Sequence, residues 1–335
     1  MNELELIAEL GSLLPAATGR VVRGVGDDAA VVRAQGYAVT SVDTMVDGVH
    51  FRAAEMEPGE VGERALAGAL SDLAAMGALP GEAYLALGMP AGTSLADARA
   101  LIQGAAALAE TFGVVIAGGD VTAAPALIVS FTVVGWTEDP GQLACRDGAQ
   151  PGDLVGVTGS LGGSAAGLAV ATGRASTRFA ADLRARYTHP QPRLGEGRAL
   201  ALAGVSAMLD LSDGLASDGA HIARASGVTL RVDLASLPLA SGVAEVAGQL
   251  HEDPASFAAR GGEDYELLFC AAESSAPIIE AALADLGSRL TWIGRVTEPD
   301  ASQPTDGDNT RRGRLSFRDR DGSELTLTGG YEHSF

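Results

Sequence analysis

The sequence contains no lysine, so all 23 of its Lys or Arg residues are arginines. A Walker-type phosphate loop needs a lysine that reaches the nucleotide phosphates, and this absence excludes it. The arginines are outnumbered by 43 acidic residues, which gives a formal net charge of −20. Nucleic acids and anionic membranes attract basic surfaces, so we expect neither as a partner.

Cysteines and long apolar runs are also scarce. The only two cysteines, Cys145 and Cys270, lie far apart and indicate neither a disulfide framework nor a cysteine metal site. The most apolar stretch, "ALIQGAAALAETFGVVIAGGD", is interrupted by Gln103, Glu110 and Asp120 before the roughly 20 apolar residues that cross a bilayer. The opening "MNELELIAEL" is acidic and amphipathic, unlike a basic, apolar signal peptide. We therefore expect a cytoplasmic protein.

The apolar content suffices for two domains, since 47% of the 335 residues are hydrophobic. Mixed helical and strand periodicities predict an α/β (α+β) fold. Around "RDGAQPGD", residues 146–153, glycine, proline and aspartate indicate a turn, after which the pattern restarts. We predict an N-terminal domain over 1–138 and a C-terminal α/β domain over 150–335.

Periodicity predicts helices over about residues 3–14, 60–76 and 95–112 in the first domain, and about 193–203, 214–226 and 275–287 in the second. A further helix is predicted after "DLVGVTG" and the glycine-rich segment that follows it. Segment 299–314 has almost no apolar content and is predicted to be a mobile loop. After it, "RLSFRDRDGSELTLTGG" predicts a hairpin with Asp321 and Gly322 in its turn.

The most informative feature is a series of aspartates at predicted strand ends or helix starts, set among glycine, hydroxyl or apolar residues. No arginine lies within three residues of any of them. A carboxylate in apolar surroundings is costly unless a positive partner meets it, and Mg²⁺ prefers such oxygen ligands. The series consists of Asp27 and Asp28 in "GVGDDAAVV", Asp43 in "TSVDTMVDGVHF", Asp72 in "ALSDLAAMGA", Asp120 in "IAGGDVT", and Asp210 and Asp213 in "MLDLSDGLASD".

Taken singly, these aspartates have structural alternatives. Asp72 and Asp213 could cap helices, and Asp120 could be a turn residue. Their recurrence favours a shared metal site. An acidic site repels ATP, whereas Mg²⁺ between carboxylates and phosphates reverses the sign of the interaction. The pattern therefore points to phosphoryl transfer, whose catalysis is mainly positioning and charge neutralisation.

The order of these motifs resembles the thiamine-monophosphate kinases, in the superfamily that includes aminoimidazole ribonucleotide synthetase. The resemblance rests on "GVGDDAAV", "SVDTMVDGVHF", "LSDLAAMGA", "GGD", "PGD" with "VTG", "DLSDGLASD", "GGEDYELLF" and the ending "GGYEHSF", which span nearly the whole chain. A lone "GGD" is weak, but "GGEDYEL" is distinctive of this branch. The resemblance implies an N-terminal α/β domain whose sheet pairs with its twin in a dimer-spanning barrel, and hence a homodimer.

The resemblance further implies ATP-dependent phosphorylation of thiamine monophosphate to thiamine diphosphate. Transfer would be direct and in line, with several Mg²⁺ ions as cofactors and ATP as co-substrate. The aspartates would be metal ligands, not nucleophiles. The implied metal ligands are Asp28, Ser41, Asp43, Asp72, Asp120, Asp210 and Asp213; the ATP contacts are Gly119, Asp120, Arg146 and Ser212; the substrate contacts are His50, Glu263 and Tyr331.

Some of these residues keep alternatives of their own. Arg146 could be a surface arginine, His50 a buried structural histidine and Glu263 an exposed loop acid. Tyr331 stands where some relatives carry a stacking tryptophan. Asp27 is expected to brace its glycine turn, because successive strand side chains point to opposite faces.

Two rival functions remain: another ATP-using enzyme of the superfamily, and a non-catalytic module that binds nucleotide or divalent cations. Selenophosphate synthetase is disfavoured because its N-terminal cysteine and lysine have no counterpart before Cys145. Aminoimidazole ribonucleotide synthetase is disfavoured by "GGEDYELLF" and "GDDAAV". Retention of every acidic position counts against a module without activity.

Overall fold

The computed structural model describes residues 11–14, 18–25, 29–299, 313–319, 321–325 and 327. The chain divides into two compact units, one of Met1–Leu73 with Ala78–Gly141 and one of Ala74–Gly77 with Gln142–Phe335. Within the described ranges, none of the helices combines the length and apolar character needed to cross a bilayer. The sequence predictions outside these ranges concern most of the helix over 3–14, Asp27, Asp28, most of the loop over 299–314 and Tyr331.

The first unit is built on a four-stranded sheet. Its central strand β6 runs antiparallel to both neighbours, whereas β4 and β5 are parallel and joined through a helix. The strand order is β3-β6-β4-β5, and β1 and β2 form a separate ribbon. The elements are β1 (Val21–Arg23), β2 (Val31–Val32), β3 (Tyr37–Val46), α1 (Pro58–Met76), β4 (Leu79–Met89), α2 (Leu95–Thr111), β5 (Val115–Ala123) and β6 (Ile128–Thr137).

The sheet has one buried face and one accessible face. Val129, Phe131 and Val133 of β6 are fully buried, whereas Val42 of β3 is 63% exposed. This difference follows from the alternation of side chains along a strand. The parallel β4–α2–β5 crossover requires its helix to pack on one face, so the buried face is the helical one.

Glycines let α1 and α2 approach each other closely. A Cβ atom on Gly62 would lie 2.0 Å from the carbonyl oxygen of Leu101, and one on Gly104 would lie 2.0 Å from that of Gly59. Any larger residue at Gly62 or Gly104 would separate the helices. The packing therefore fixes α1, which carries Asp72, relative to the rest of the unit.

The second unit contains a seven-stranded sheet in the order β13-β12-β9-β11-β7-β10-β8. Its neighbours are antiparallel except β12 and β9, which are parallel. The strands are β7 (Leu154–Thr158), β8 (Ala207–Asp210), β9 (Thr229–Asp233), β10 (Leu267–Ala271), β11 (Leu290–Thr297), β12 (Arg314–Arg318) and β13 (Glu324–Leu325). The helices are α3 (Gly163–Ala171), α4 (Ala180–Thr188), α5 (Leu194–Leu202), α6 (Leu215–Ser226), α7 (Val243–Gln249), α8 (Pro254–Arg260) and α9 (Ala276–Asp285).

The mixed α/β content predicted from the sequence is confirmed in both units. The helices predicted from residue 60 onward match α1, α2, α5, α6 and α9 to within two residues at each end. The predicted C-terminal hairpin is also confirmed, since β12 and β13 pair antiparallel and the N–H of Gly322 donates to the carbonyl of Asp319 at 2.9 Å. No closed barrel forms among the strands of the described ranges.

Three helices were not predicted: α4, α7 and α8. The helices α7 and α8 contain seven residues each, about two turns, which is too few to establish a helical period. In α4 only Leu183, Tyr187 and Thr188 are buried, so its apolar pattern is sparse. The sequence at the start of α8 is nevertheless typical of a helix N-terminus. Asp253 accepts the N–H of Ser256 at 2.8 Å, and Pro254 occupies the first turn.

Candidate active site

In the first unit, Ser41 and Asp72 meet between β3 and α1. The Ser41 hydroxyl donates to the Asp72 carboxylate over 2.5 Å, and both residues are partly buried. Asp43 follows two residues after Ser41 and therefore lies on the same side of β3. Its carboxylate accepts the N–H of Thr44 at 2.8 Å. The fold thus aligns three predicted metal ligands along one side of this strand.

Asp120 lies on the opposite edge strand of the same sheet, and is exposed. The cross-strand register connects Asp43 to Phe131, Leu85 and Gly119, the residue before Asp120. Three strand spacings of about 4.8 Å separate β3 from β5 by roughly 14 Å. An Mg²⁺–oxygen bond is only about 2.1 Å long. One ion therefore cannot bind both Asp43 and Asp120 across the sheet of a single chain.

Glycine at position 119, in the "GGD" motif, is needed for the close pairing of two strands. A Cβ atom at this position would lie 2.0 Å from the carbonyl oxygen of Leu85, closer than real Cβ atoms ever approach. Glycine therefore lets β5 pair closely with β4 directly before Asp120.

His50 lies in the turn that follows β3. Its ring Nδ1 accepts the backbone N–H of Val46 at 3.0 Å, and the backbone N–H of His50 donates to the Val46 carbonyl at 3.0 Å. An accepting Nδ1 places the proton of a neutral ring on Nε2. The turn therefore orients His50 with Nε2 as the donor nitrogen.

In the second unit, the "DLSDG" and "GGEDYELLF" motifs lie side by side. The N–H of Glu263 donates to the carbonyl of Ser212 at 2.7 Å, and that of Tyr265 donates to the carbonyl of Leu211 at 3.0 Å. Gly262 permits this approach, because a Cβ atom there would lie 2.6 Å from the Ser212 oxygen. The predicted substrate contact Glu263 is therefore adjacent to the predicted ATP contact Ser212.

The backbone of this loop is strained at two residues. Glu263 has a φ of 66° and Tyr265 a φ of 50°, both in the left-handed region. For residues other than glycine this conformation costs about 1–2 kcal/mol each. Such strain persists only where surrounding contacts hold it, and it is concentrated at functional sites.

The other two acids of the "GGEDYELLF" motif anchor the loop. The Asp264 carboxylate accepts the N–H groups of Gly162 at 2.6 Å and Ser164 at 3.0 Å. Glu266 is fully buried and accepts two bonds from Arg193, at 2.8 and 2.7 Å, and one from Thr158 at 2.8 Å. Paired charge-assisted bonds of this kind fix geometry strongly. The roles of Asp264 and Glu266 were not predicted from the sequence.

Asp210 and Asp213 share their surroundings with a third acid, Asp218. Asp210 ends β8 and is 5% exposed. Asp218, in the first turn of α6, accepts the N–H groups of Asp213 at 2.9 Å and Gly214 at 3.0 Å. Burial, together with the negative charges of Asp213 and Asp210, raises the pKa of Asp218 to about 8. Sequence reasoning missed Asp218, although its place in the first turn of a predicted helix signalled a cap.

Arg146 is exposed in the loop before β7, where its carbonyl accepts the hydroxyl of Ser226 at 3.0 Å. Burial lowers the pKa of His221 on α6, the positive charges of Arg224 and Arg146 lower it further, and Asp213 opposes them. The predicted ATP contact Arg146 and the predicted metal ligand Asp213 therefore both influence the pKa of His221, in opposite directions.

The predicted metal ligands in the described ranges do not form a preassembled cluster of acidic side chains. Among the residues that the structure describes, no three His, Cys, Asp or Glu side chains approach closely enough to hold a metal ion. The donors are carboxylate and hydroxyl oxygens, which suit Mg²⁺ chemically. The predicted ligands that the structure describes fall into one subset with Ser41, Asp43 and Asp72 and another with Asp210 and Asp213, whereas Asp120 lies apart on β5.

Comparison with known proteins decides the family. Two family models match the chain: AIR synthase related protein, N-terminal domain, over residues 26–137, and AIR synthase related protein, C-terminal domain, over residues 150–306. The thiamine-monophosphate kinase of Escherichia coli (strain K12) is 38% identical over 342 residues, covering 99% of this chain and 98% of that protein. This chain belongs to the thiamine-monophosphate kinase family. The resemblance and the enzyme class predicted from the sequence are confirmed.

Solved thiamine-monophosphate kinases share the fold. The crystal structure of the kinase from Stenotrophomonas maltophilia K279a is 36% identical with a TM-score of 0.80, covering 93% of this chain and 98% of that one. A structure described as "AaThiL complexed with AMPPCP and TMP" is 28% identical with a TM-score of 0.75, covering 89% of this chain and 87% of that one. The thiamine-monophosphate kinase fold therefore extends over both units.

Proposed function

We propose that this chain transfers the γ-phosphoryl group of ATP to the phosphate of thiamine monophosphate, forming ADP and thiamine diphosphate. Family membership supports the reaction class, and the relative described with AMPPCP and TMP supports the two substrates. The observation that carries the proposal is the 2.7 Å hydrogen bond from the Glu263 N–H to the Ser212 carbonyl. It joins the segment assigned to the substrate to the segment assigned to ATP.

We assign the binding of thiamine monophosphate to Glu263, His50 and Tyr331. The Glu263 carboxylate would meet the cationic thiazolium or accept a hydrogen bond from the aminopyrimidine. His50 would donate from Nε2, because its Nδ1 already accepts the Val46 N–H. The ring of Tyr331 would stack on the substrate or attract its positive charge.

The nucleotide is assigned to Gly119, Asp120, Arg146 and Ser212. The guanidinium of Arg146 offers a planar fork for phosphate oxygens, and its exposure leaves it accessible. The tight β4–β5 pairing at Gly119 leaves no side chain there to obstruct a phosphate. These contacts would replace the Walker lysine that the sequence lacks.

The transfer itself would be direct and in line, without a phospho-enzyme. The attacking oxygen belongs to the substrate phosphate and is already anionic at neutral pH, so no strong protein base is needed. The remaining task of the protein is to align the two phosphates and exclude other orientations. The aspartates serve as ligands in this scheme, not as nucleophiles.

The ligands proposed for Mg²⁺ are Asp28, Ser41, Asp43, Asp72, Asp120, Asp210 and Asp213. When bound, Mg²⁺ supplies charge neutralisation between these carboxylates and the phosphates. The oxygen-only donor set fits this ion, and the roughly 14 Å between β3 and β5 supports several ions in place of one.

The proposal includes a homodimer in which the four-stranded sheets of two chains pair into a barrel. Its support is the accessible face of the sheet, where Val42 is 63% exposed and Leu79 53%. Size-exclusion chromatography with light scattering tests this part. Val42→Asp is expected to convert the dimer to a monomer, whereas Ile278→Asp, also exposed but in the second unit, should remain dimeric.

A phosphorus NMR time course with ATP, Mg²⁺ and thiamine monophosphate tests the reaction. We expect thiamine diphosphate and ADP to appear in equal amounts. Release of orthophosphate alone would indicate hydrolysis or another acceptor, and absence of turnover would indicate a binding module. Asp43→Asn and Asp120→Asn should lose most turnover and remain folded, whereas Asp139→Asn, in an exposed turn, should keep it.

A further inference from the structure

Asp264 connects the loop at 261–265 to another part of the second unit. Its two carboxylate oxygens accept from different backbone N–H groups, at 2.6 Å from Gly162 and 3.0 Å from Ser164. Gly162 precedes α3 and Ser164 lies in its first turn. The single side chain thereby ties the loop to the start of this helix.

The residues on either side of Asp264 are the two strained ones. Glu263 and Tyr265 are both left-handed, with φ values of 66° and 50°. Because the residues before and after Asp264 are left-handed, the side chains of this segment do not alternate between two faces as they do in a β-strand. Neither side chain is small, so the conformation needs an anchor on each side.

Each strained residue also has a backbone contact with the "DLSDG" segment. The N–H groups of Glu263 and Tyr265 donate to the carbonyls of Ser212 and Leu211. The loop is therefore fastened by its backbone to the "DLSDG" segment and by the Asp264 side chain to α3. Loss of the side-chain anchor would remove the tie to α3 that helps to oppose the strain.

The buried surroundings of the Asp264 carboxylate indicate a structural role for this side chain. Burial raises the pKa of Asp264 to about 7, although the N–H groups of Ser164 and Gly162 act to lower it. A buried carboxylate is costly unless it is hydrogen-bonded, so the bonds to Gly162 and Ser164 stabilise Asp264 in this position.

We infer that Asp264 is a positioning residue, which holds Glu263 in its left-handed conformation against Ser212 by tying the loop to the first turn of α3. The consequence for catalysis rests on the proposed function, in which Glu263 contacts the substrate. The alternative is that Asp264 caps α3 and has no influence on Glu263.

Amide hydrogen exchange tests the positioning without any substrate. Wild type, Asp264→Ala and Asp264→Asn are compared at pH 8.5, above the pKa of Asp264. We expect the amides of Glu263 and Tyr265 to exchange about tenfold or more faster in Asp264→Ala, with an intermediate effect in Asp264→Asn, which keeps one acceptor oxygen. Amides of β10 should keep their protection. Faster exchange confined to the first turn of α3 would overturn the inference.

Steady-state kinetics of the same variants test the catalytic consequence. The KM for thiamine monophosphate should rise about ten- to hundredfold in Asp264→Ala, because a displaced contact residue weakens binding. The KM for ATP should change by less than about twofold, since the Ser212 segment keeps its own anchor in Asp218. A KM for thiamine monophosphate that stays unchanged, with fast loop exchange, would overturn the link to the substrate.

Asp253→Asn serves as the matched control. Asp253 also accepts a backbone N–H, from Ser256 at 2.8 Å, and caps α8 in the same unit. It should alter neither the exchange of Glu263 nor the KM for thiamine monophosphate. If wild type does not phosphorylate thiamine monophosphate, the proposed function fails, and the exchange result still decides whether Asp264 holds the loop.

Discussion

The backbone N–H of Glu263 donates to the carbonyl oxygen of Ser212 over 2.7 Å. Strand pairing makes this contact possible: β10 and β8 run antiparallel with Leu267 opposite Asp210, so the segments that extend from these strand ends meet. The proposed substrate contact and the proposed nucleotide contact, from distant parts of the chain, are thereby joined through their backbones. In the proposed function, the relative placement of the two substrates depends on this junction.

Replacement of Glu263 by glutamine should impair binding of the cationic substrate selectively. The amide keeps the size of the side chain but removes the negative charge. We expect the KM for thiamine monophosphate to rise about tenfold, equivalent to about 1.4 kcal/mol, and the KM for ATP to stay within about twofold. Initial-rate measurements with each substrate varied in turn check this.

The control is Glu273→Gln. Glu273 forms an exposed ion pair with Arg295, and exposed pairs contribute little to stability. Both KM values should equal those of wild type in this variant. Equal increases in both KM values in Glu263→Gln would contradict the assignment of Glu263 to thiamine monophosphate.

Gly262→Ala should separate the two motifs by steric force alone. The added methyl group would lie 2.6 Å from the Ser212 carbonyl oxygen, so the loop or the "DLSDG" segment must shift. Because misplacement by about 1 Å can cost about a hundredfold in rate, we expect kcat/KM to fall by about tenfold or more. Gly248→Ala is the control, since nothing lies within 4 Å of its added Cβ atom. Equal kcat/KM values for the two variants would refute this prediction.

The "GGEDYELLF" motif shows where sequence reasoning succeeds and where it stops. The motif could be found from the sequence, but it contains three acids, and nothing in their spacing distinguishes Glu263 from Asp264 and Glu266. The distinction arises from the left-handed backbone at Glu263 and Tyr265, which breaks strand alternation. It also depends on anchors that are remote in sequence, such as Arg193.

The same limit applies to the first unit. The aspartates were recognised because each stands in an apolar or glycine-rich setting, and α1 and α2 were predicted from their long helical periods. The contact between Ser41 and Asp72, and the separation of Asp43 from Asp120, depend on helix packing and strand order. Both are tertiary properties that local periodicity does not encode. The roles of all the predicted site residues, Asp28 and Tyr331 among them, stay predictions.

Ser41→Ala should weaken Mg²⁺ binding more than it weakens folding. The variant removes the proposed hydroxyl ligand and the 2.5 Å hydrogen bond that orients the Asp72 carboxylate. Loss of such an orienting group typically lowers metal affinity about 10–100-fold. The Mg²⁺ concentration for half-maximal rate, measured at saturating substrates, should rise accordingly. Ser94→Ala, which removes a comparable hydroxyl–carboxylate hydrogen bond to Asp97 outside the proposed ligand set, should leave it unchanged. A normal Mg²⁺ requirement in Ser41→Ala would remove Ser41 from the ligand set.

Asp218 should make stability depend on pH when Mg²⁺ is removed. Its pKa is raised from 3.8 to about 8 in the folded protein by burial and by Asp213 and Asp210. Between these values the folded state keeps a proton that the unfolded state has lost. The stabilisation is therefore fully present below about pH 4 and is lost as the pH rises through about 8. The slope contributed by one such group is at most about 1.4 kcal/mol per pH unit.

Urea unfolding between pH 5 and 8 in EDTA measures this slope, and Asp218→Asn should reduce it. The amide oxygen can still accept from the N–H groups of Asp213 and Gly214, but it carries no charge to desolvate. Asp139→Asn, in an exposed turn, should keep the wild-type slope. Saturating Mg²⁺ should flatten the wild-type curve, because a bound cation offsets the repulsion among the three carboxylates. Parallel stability curves for wild type and Asp218→Asn would show that Asp218 is ionised throughout, and that the acidic cluster is already compensated without metal.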